Sequence, residues 1–278
     1  MRVGVILAAF AWCASCSFDT SGAAATIDGA PESADATSAP PAPDASSSDA
    51  APAAPRPVHH YRFDDGTAAD SAGGADGRAL GEMVIEDGRA VFPGGGDGGW
   101  IELPADAIAL STFDEVTFEA WFSYSASVIW QRVFDFGGIS ADNEDHGALN
   151  VLFTPTSGFG DAAATLSNSD PGFLNEARAR ADSELEAGVL HHIAVTLDGE
   201  AIRLFHDGEL LASAAYDSAP DDPPPSIDQL DDSLAYLGRS TYADDGLFTG
   251  EILEFAIFDV ALAPDEVSAR FESGPGAP

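Results

Sequence analysis

Residues 115–138, EVTFEAWFSYSASVIWQRVFDFGG, decide the fold class of this chain. The segment opens with an alternation that puts four apolar side chains on one face of a β-strand: Val116, Phe118, Ala120 and Phe122. A second aromatic run, WQRVFDFGG, follows after a short Ser- and Ala-rich connection. Because large apolar residues occur on both faces, the pattern predicts a core hairpin that is covered on both sides.

Short alternating segments predict further β-strands throughout residues 58–260. The clearest group is a meander of LHHIAVTL (190–197), AIRLFH (201–206) and ELLASAAY (209–216), joined by two turns that contain Asp-Gly. Asp-Gly supplies the positive φ that a tight hairpin turn requires. The other predicted strands are VHHYRF (58–63), MVIE (83–86), RAVFP (89–93), GWIELP (99–104), GALNVLF (147–153), AAATLSN (162–168), FLNEARAR (173–180), SLAYLGRS (233–240) and GEILEFAIFDV (250–260).

The last element is the one segment that convincingly predicts a helix. Pro264 suits the first helical position, Asp265 and Glu266 complement the helix dipole, and Gly274 ends the helix. Many short strands and one short C-terminal helix predict an all-β antiparallel β-sandwich, residues 58–278. The acidic, proline-rich segment 217–233 predicts a long surface loop.

The charge of the chain excludes some classes of partner. It has 47 acidic and 11 basic residues, a formal net charge of −36, and every basic residue is arginine. Such a surface repels nucleic acid and anionic lipid headgroups, so we expect no nucleic-acid partner. A salt-adapted or GC-rich source would explain the composition, although carboxylate clusters also suit Ca²⁺.

The N-terminus has the pattern of a secretory signal. Arg2 precedes the apolar run VGVILAAFAW (residues 3–12), which is too short to span a membrane. The sequence that follows, Cys13-Ala14-Ser15-Cys16, resembles a bacterial lipobox, with Cys13 where that motif usually has an aliphatic residue. The resemblance implies a lipoprotein signal over residues 1–16 with lipidation at Cys16; a plain signal peptide is the alternative.

Residues 17–57 consist almost entirely of small and polar residues and include seven prolines. Such a segment cannot offset its ordering entropy, so we predict a disordered, extended tether. A lipid anchor, a tether and then a domain is a display arrangement. We therefore expect an exported lipoprotein of the bacterial outer membrane or cell surface, monomeric and membrane-bound only through its anchor.

The strands also carry a family resemblance. The segments HHYRFDDG, GDGGWIELP, VTFEAWFSY, WQRVFDFG, LHHIAVTLDGEAIRLFHDGELLAS, LAYLGRS and GEILEFAIFDVALAPDEVSARF resemble, in order, the laminin-G-like jelly-roll domains of the concanavalin A-like lectin/glucanase superfamily. Leu190 departs from the Trp that usually precedes His-His, and Ala263 from the usual Ser or Thr helix cap. The resemblance implies two stacked antiparallel sheets that bind glycans or proteins, often with Ca²⁺.

Glucanases of that superfamily carry two catalytic glutamates on one strand in an E-x-D-x-E arrangement, and the nearest candidates here are Glu251 and Glu254. On a regular strand an i, i+3 spacing puts two carboxylates on opposite faces, so they would not flank one glycosidic bond. The domain also contains no cysteine. We therefore expect no enzymatic activity and no catalytic residues.

Other polar residues in the predicted strands have structural interpretations. His191 and His192 are adjacent, so they face opposite ways and cannot chelate one metal as a pair. His192 is expected to be a hydrogen-bonded structural histidine. Arg132 needs a carboxylate partner if it is buried, and Glu119 on the preceding strand is the candidate.

Two kinds of binding site are predicted. Turn carboxylates suit Ca²⁺, with Asp64 and Asp97 as the expected ligands. Aromatic rings stack on sugar faces while amides bind hydroxyls, and the residues that offer this chemistry near one sheet face are Trp130, His146, Asn150, Asn168 and Tyr242. The alternative is that these five are ordinary core and rim residues.

These observations predict a lipid-anchored, extracytoplasmic recognition module that binds a glycan or protein ligand without catalysis. Two alternatives remain open: a glucanase-like carbohydrate-active enzyme, and a structural cell-envelope component with no soluble ligand.

Overall fold

A computed structural model of the chain describes residues 54–125, 128–218 and 223–276. The predicted signal, Cys16 and nearly all of the predicted tether lie outside the described residues. The strands are β1 (His59–Tyr61), β2 (Arg78–Leu80), β3 (Val84–Glu86), β4 (Arg89–Pro93), β5 (Trp100–Glu102), β6 (Val116–Tyr124), β7 (Phe134–Ile139), β8 (Gly147–Thr154), β9 (Ala163–Ser167), β10 (Glu176–Arg180), β11 (His191–Leu197), β12 (Ala201–His206), β13 (Glu209–Ala215), β14 (Leu234–Leu237) and β15 (Thr249–Phe258); the helices are α1 (Ala105–Ile108) and α2 (Pro264–Ser273).

The strands form two antiparallel sheets. The eight-stranded sheet has the order β13-β12-β11-β6-β15-β4-β3, and β1 also pairs with β15. The seven-stranded sheet has the order β10-β9-β8-β7-β14-β5-β2. The predicted antiparallel β-sandwich with a short C-terminal helix is confirmed, and α2 begins at the predicted Pro264. None of the helices in the described ranges is long and apolar enough to cross a membrane.

The two strands of the opening segment do not form the predicted hairpin. β6 pairs with β11 and β15 in the eight-stranded sheet, whereas β7 pairs with β8 and β14 in the other sheet. Their side chains meet across the sandwich, where Phe118 stacks on Phe134 with ring centroids 4.7 Å apart. Alternation predicted both strands, but it does not say whether consecutive strands pair or cross from one sheet to the other.

The predicted coverage of both faces holds for β6. The face with Val116, Phe118 and Phe122 lies in the core between the sheets. On the opposite face Trp121 stacks on Phe271 of α2, with ring centroids 5.8 Å apart and planes 14° apart. The C-terminal helix thus covers the outside of the eight-stranded sheet.

The predicted meander β11-β12-β13 is present, with antiparallel pairing throughout. In its second turn, Asp207 and Gly208 both have positive φ, 49° and 81°, as a tight hairpin turn requires. In the first turn, the Asp198 carboxylate accepts hydrogen bonds from the backbone N–H groups of Glu200 and Ala201 at 2.8 and 2.9 Å. The second turn is therefore formed by residues with positive φ, and the first is stabilised by hydrogen bonds to the Asp198 side chain.

Three short elements differ from the sequence expectation. β2 and α1 were not predicted, because three or four residues are too few to show a period. The segment 217–233 is not only a surface loop, since Ile227 and Leu230 are buried in the core. Residues 219–222 of this segment lie outside the described ranges.

Candidate functional site

The outer face of the seven-stranded sheet presents polar side chains. Alternation along β8, β9 and β10 sends Val151, Phe153, Leu166 and Ala177 into the core. The residues between them therefore point away from the core. On β10, EARAR (176–180), the two alanines face the core and the charged side chains face outward.

A cavity of about 200 Å³ lies on this face. Its lining combines aromatic, charged and hydroxyl side chains from three strands and the adjoining loops: Trp130, Arg132, Leu152, Thr165, Phe173, Glu176, Arg178, Tyr242 and Asp245. A second cavity of about 480 Å³ shares Tyr242 and Asp245 with the first and extends past Trp100 and Arg239.

Trp130 is held in an unusual conformation at the edge of the first cavity. Its φ is 61°, in the left-handed region that bulky residues rarely adopt. Its backbone N–H donates to the Thr156 carbonyl oxygen at 2.8 Å, and its ring meets Phe159 edge to face at 6.0 Å. Such conformations persist where the surrounding structure holds them, and they cluster at binding and active sites.

Arg132 anchors the base of the cavity and is 3% exposed. Its guanidinium donates to the Trp130 carbonyl oxygen at 2.6 Å and to Asp245 Oδ2 at 2.9 Å. Its Nε lies 3.5 Å from Asp135 Oδ2, too far for a hydrogen bond. The expected pairing of Arg132 with Glu119 is wrong, because Glu119 lies on the other sheet beneath α2.

A second arginine, Arg178, lies beside the same tryptophan. The guanidinium carbons of Arg132 and Arg178 are 5.2 and 5.4 Å from the centroid of the Trp130 ring, within the range of cation–π attraction. Arg178 also forms an ion pair with Glu176. The two arginines therefore fix the ring of Trp130 and are themselves fixed by carboxylates.

Three buried polar atoms of the cavity lining have no hydrogen-bond partner: Arg132 Nε, Thr165 Oγ1 and Arg178 Nε. Buried polar groups are nearly always paired, because an unpaired one costs about 1–3 kcal/mol. Here three such atoms belong to residues that line one cavity. These atoms are themselves covered, so a ligand in the cavity would pair with them only after their side chains shift.

Beneath the cavity floor Asp135 is fully buried and accepts four polar contacts. Thr241 donates to it through N–H and Oγ1 at 3.0 and 3.2 Å, Ser240 Oγ at 3.3 Å and Asn150 Nδ2 at 3.4 Å. Burial raises the pKa of the Asp135 carboxyl, and Arg132 opposes that rise. This network supports the floor from below.

The pKa values of the two carboxyl groups that line the cavity are also raised. Burial raises the pKa of the Glu176 carboxyl, and the guanidinium groups of Arg178 and Arg132 offset this only in part. Burial likewise raises the pKa of Asp245, against the effect of Arg132. The lining carries two arginines and two carboxylates, so it is formally neutral at pH 7 in a chain of net charge −36.

The structure brings some of the five predicted ligand residues together. Trp130 and Tyr242 line the first cavity, and the His146 ring lies 6.2 Å from that of Tyr242. Asn150 is buried beneath the floor and donates to Asp135. Asn168 lies apart, where its amide donates to the Pro223 carbonyl oxygen at 3.1 Å.

Sequence reasoning missed seven residues that line this cavity: Arg132, Leu152, Asp245, Thr165, Phe173, Glu176 and Arg178. The alternation of EARAR could have indicated the last two, because alanines at every second position mark the core face. Nothing in the sequence around Thr165 or Phe173 shows that they line the same cavity as Trp130. That proximity depends on the order of the strands in the sheet.

The predicted calcium ligands lie on exposed turns. Asp64 forms an ion pair with Arg62, Nε to Oδ2 at 3.2 Å. Neither Asp64 nor Asp97 belongs to a group of three His, Cys, Asp or Glu side chains close enough to share one ion, within the described ranges. Calcium binding stays a prediction of the sequence.

The prediction that Glu251 and Glu254 lie on opposite faces of their strand is wrong. A β-bulge between Ile252 and Glu254 pairs Glu251 with Ser123 and Glu254 with Trp121. Residues 121 and 123 share a face of β6, so both glutamates share a face as well. Each has a basic partner: Glu251 lies 3.3 Å from Arg89 Nη1, and Glu254 2.6 Å from His60 Nε2.

Two antiparallel sheets stacked face to face, with an open polar cavity on the outside of one, define a jelly-roll domain of the concanavalin A-like class. The family model Laminin_G_3, described as concanavalin A-like lectin/glucanases superfamily, matches residues 94–268. The chain belongs to this family. A comparison with curated proteins finds no match for the sequence.

Solved structures with this fold are distant in sequence. Domain 4 of AbnA, a GH43 extracellular arabinanase from Geobacillus stearothermophilus, in complex with arabinotriose, is 19% identical with a TM-score of 0.61; the match covers 78% of this chain and 98% of that one. The CBM40 of the Ruminococcus gnavus IT-sialidase, bound to α2,3 sialyllactose, is 17% identical with a TM-score of 0.51, covering 65% and 96%.

A third neighbour is the binding domain of botulinum neurotoxin DC in complex with rat synaptotagmin II. It is 11% identical with a TM-score of 0.56, and the match covers 78% of this chain and 51% of that one. At such identities these likenesses describe the fold alone.

Proposed function

We propose that this chain is a non-catalytic recognition protein that binds a neutral oligosaccharide on the outer face of the seven-stranded sheet. The observation that carries the proposal is the set of three buried atoms without a hydrogen-bond partner, Arg132 Nε, Thr165 Oγ1 and Arg178 Nε, on residues that line a cavity edged by Trp130. Sugar hydroxyls pair with such groups, and an aromatic ring offers a surface for a sugar ring to stack on.

The balance of charge in the lining of the first cavity favours a neutral ligand over an acidic one. Arg132 and Arg178 are already paired with Asp245 and Glu176, so no unpaired cation remains among them to balance an acidic sugar. Carboxylates held in place this way accept hydrogen bonds from hydroxyl groups. Arabinotriose and α2,3 sialyllactose, the sugars bound to two of the structural neighbours, supply a neutral and an acidic probe for comparison.

A glycan array tests the ligand class directly. The purified chain is expected to bind neutral oligosaccharides, and Trp130→Ala is expected to weaken that binding by about tenfold or more through loss of ring stacking. Preferential binding of sialylated glycans would contradict the neutral assignment. If the chain instead binds a protein, and Trp130→Ala weakens that binding to the same extent, the ligand of this site is a protein and not a glycan.

The unpaired hydroxyl of Thr165 allows a sharper test. Thr165→Val removes that hydroxyl at nearly constant volume, so we expect glycan affinity to fall about three- to tenfold while the free energy of unfolding stays within about 0.5 kcal/mol. Calorimetric titration and chemical denaturation measure the two quantities.

Thr117→Val is the matched control for that test. Thr117 Oγ1 donates to the Val260 carbonyl oxygen at 2.8 Å and accepts from Leu262 N–H at 2.9 Å, on the other sheet. Its loss is expected to reduce stability by about 1–3 kcal/mol and to leave glycan affinity unchanged. If Thr165→Val instead lowers stability and spares affinity, the cavity is not the binding site.

One observation favours a second candidate, a glycoside hydrolase. Glu176 and Asp245 line one cavity, and both have a raised pKa, as the acid of a glycosidase pair does. Their ion pairs with arginines argue against free proton transfer. Release of reducing sugar from an arabinan, abolished by Glu176→Gln, would establish the enzyme in place of the binding protein.

A further inference from the structure

A group of three side chains outside the cavity has no role in the proposed recognition. His191 begins β11, and His206 and Asp207 lie where β12 turns into β13. One ring nitrogen or carboxylate oxygen from each lies within 4.8 Å of the others. Within the described ranges this is the one such group of His, Cys, Asp or Glu.

The tautomer of His191 is set by its surroundings. Its Nε2 lies 2.8 Å from the Glu186 carbonyl oxygen, which can only accept a hydrogen bond. Nε2 therefore carries the proton, and the neutral ring has a lone pair at Nδ1. That Nδ1 points at His206 Nε2, 2.9 Å away. A backbone carbonyl that fixes the tautomer in this way is typical of metal-bound histidines.

The third ligand is positioned by the backbone of the neighbouring strand. The His192 N–H donates to Asp207 Oδ1 at 3.0 Å, which holds the carboxylate in place. The other oxygen, Oδ2, lies 3.5 Å from His206 Nε2. The tight turn at Asp207 and Gly208 further limits how far this group can move.

The three side chains of the group differ in their exposure to solvent. His191 is 2% exposed, whereas the side chains of His206 and Asp207 are 25% and 42% exposed. An ion could therefore enter from the solvent side, and water could complete its coordination. Two nitrogens bound to one Zn²⁺ at tetrahedral angles lie about 3.3 Å apart, so binding requires the rings to separate by a few tenths of an ångström.

We propose that His191 Nδ1, His206 Nε2 and Asp207 Oδ2 bind one divalent transition-metal ion of the Zn²⁺ class. Two imidazoles and one carboxylate suit Zn²⁺, Co²⁺ or Ni²⁺, whereas Ca²⁺ prefers oxygen ligands throughout. The ion would join the start of β11 to the β12–β13 turn and, through the Glu186 carbonyl, to the segment before β11. It would bind the folded state and so raise the melting temperature.

The test uses the purified, chelator-treated chain and Zn²⁺ alone. Calorimetry is expected to show one bound ion per chain, and Zn²⁺ is expected to raise Tm. Co²⁺ is expected to give the visible absorption of a four-coordinate site. His206→Ala and Asp207→Asn are each expected to lower Zn²⁺ affinity by more than about tenfold. Asp207→Asn keeps the oxygen that accepts from His192, so folding should survive.

His146→Ala is the control, because it removes an imidazole from the connection between β7 and β8, and it is expected to leave Zn²⁺ affinity unchanged. A chain that binds no Zn²⁺ after chelation, or binds it equally well as His206→Ala and Asp207→Asn, overturns the proposal. Loss of binding in His146→Ala alone would place the ion elsewhere and overturns it as well. Circular dichroism of each variant without metal separates loss of the site from loss of the fold.

Discussion

Asp70 holds β1 to the loop that follows it. Its carboxylate accepts hydrogen bonds from His60 N–H at 2.8 Å, His59 Nδ1 at 2.7 Å and Ala75 N–H at 2.9 Å. Burial alone would raise the pKa of this carboxyl, but the hydrogen bonds outweigh burial and lower the pKa to about 2. The folded state therefore favours the charged form.

This shift predicts a dependence of stability on pH. Because the folded pKa lies below the unfolded value, the contribution of Asp70 is complete above about pH 4 and is lost as the pH falls toward 2. The loss is about 2 kcal/mol of unfolding free energy. Asp70→Asn is expected to reduce stability at pH 7 and to flatten that part of the acid profile.

Denaturant titrations between pH 2 and 7 measure this profile. Asp106→Asn, at an exposed side chain, is the control for losing one surface carboxylate. An Asp70→Asn profile parallel to that of the unchanged chain would show that another group causes the acid loss.

Glu119 shows why single-residue pairings were hard to predict. His192 Nε2 lies 2.8 Å from Glu119 Oε1, and Arg270 Nε lies 2.9 Å from the same oxygen. Burial would raise the pKa of Glu119, but these two partners lower it. His192 has the hydrogen-bonded structural role expected from the sequence. The contact with Arg270 was not expected, because Arg270 lies on a helix 151 residues further along the chain.

At the scale of elements, α2 has an incomplete N-terminal cap. The Ala263 N–H donates to Glu266 Oε2 at 2.8 Å, which is half of a capping box. Ala263 has no side-chain oxygen to pair with the first free N–H groups of the helix. The departure from the family pattern at this position therefore leaves one stabilising contact absent.

Ala263→Ser is expected to complete the capping box and raise the free energy of unfolding by about 1 kcal/mol. Ala263 is exposed, so the change creates no packing conflict. Ala263→Val, which adds bulk without an acceptor, is the control and is expected to give no gain. Equal stability of the serine and valine variants in thermal and chemical denaturation would contradict the capping explanation.

The bulge in β15 also acts at the scale of elements. Alternation gives the correct faces for residues 255–258, but one extra residue beside Glu254 reverses the assignment of everything before it. The bulge falls between the stretch of β15 that pairs with β4 and the stretch that pairs with β1. A period-2 count cannot detect such an insertion.

At the scale of the whole molecule, the sequence predicts display on a membrane. Cys16→Ser is expected to abolish incorporation of a labelled fatty acid and to release the chain from the membrane fraction, because a thiol is needed for lipidation. Cys13→Ser is the matched control and is expected to keep both. Labelling that survives in Cys16→Ser would place the lipid at another residue, and an unchanged chain that takes up no label would favour a plain signal peptide.

The sequence by itself determined the class of the fold, most strand positions and the start of α2. These follow from local rules: alternation, turn residues, and a proline followed by acidic residues. It also indicated Trp130 and Tyr242, because aromatic and polar residues in strand-edge segments are unusual enough to be noticed.

Only the tertiary structure decided that β6 and β7 lie in different sheets, that Arg132 pairs with Asp245, and that Thr165 and Trp130 line one cavity. The physical reason is that strand order, bulges and the packing of α2 depend on long-range burial, which one segment cannot encode alone. Local pattern places a side chain on a face; only the assembled sandwich brings faces from distant segments together around one cavity.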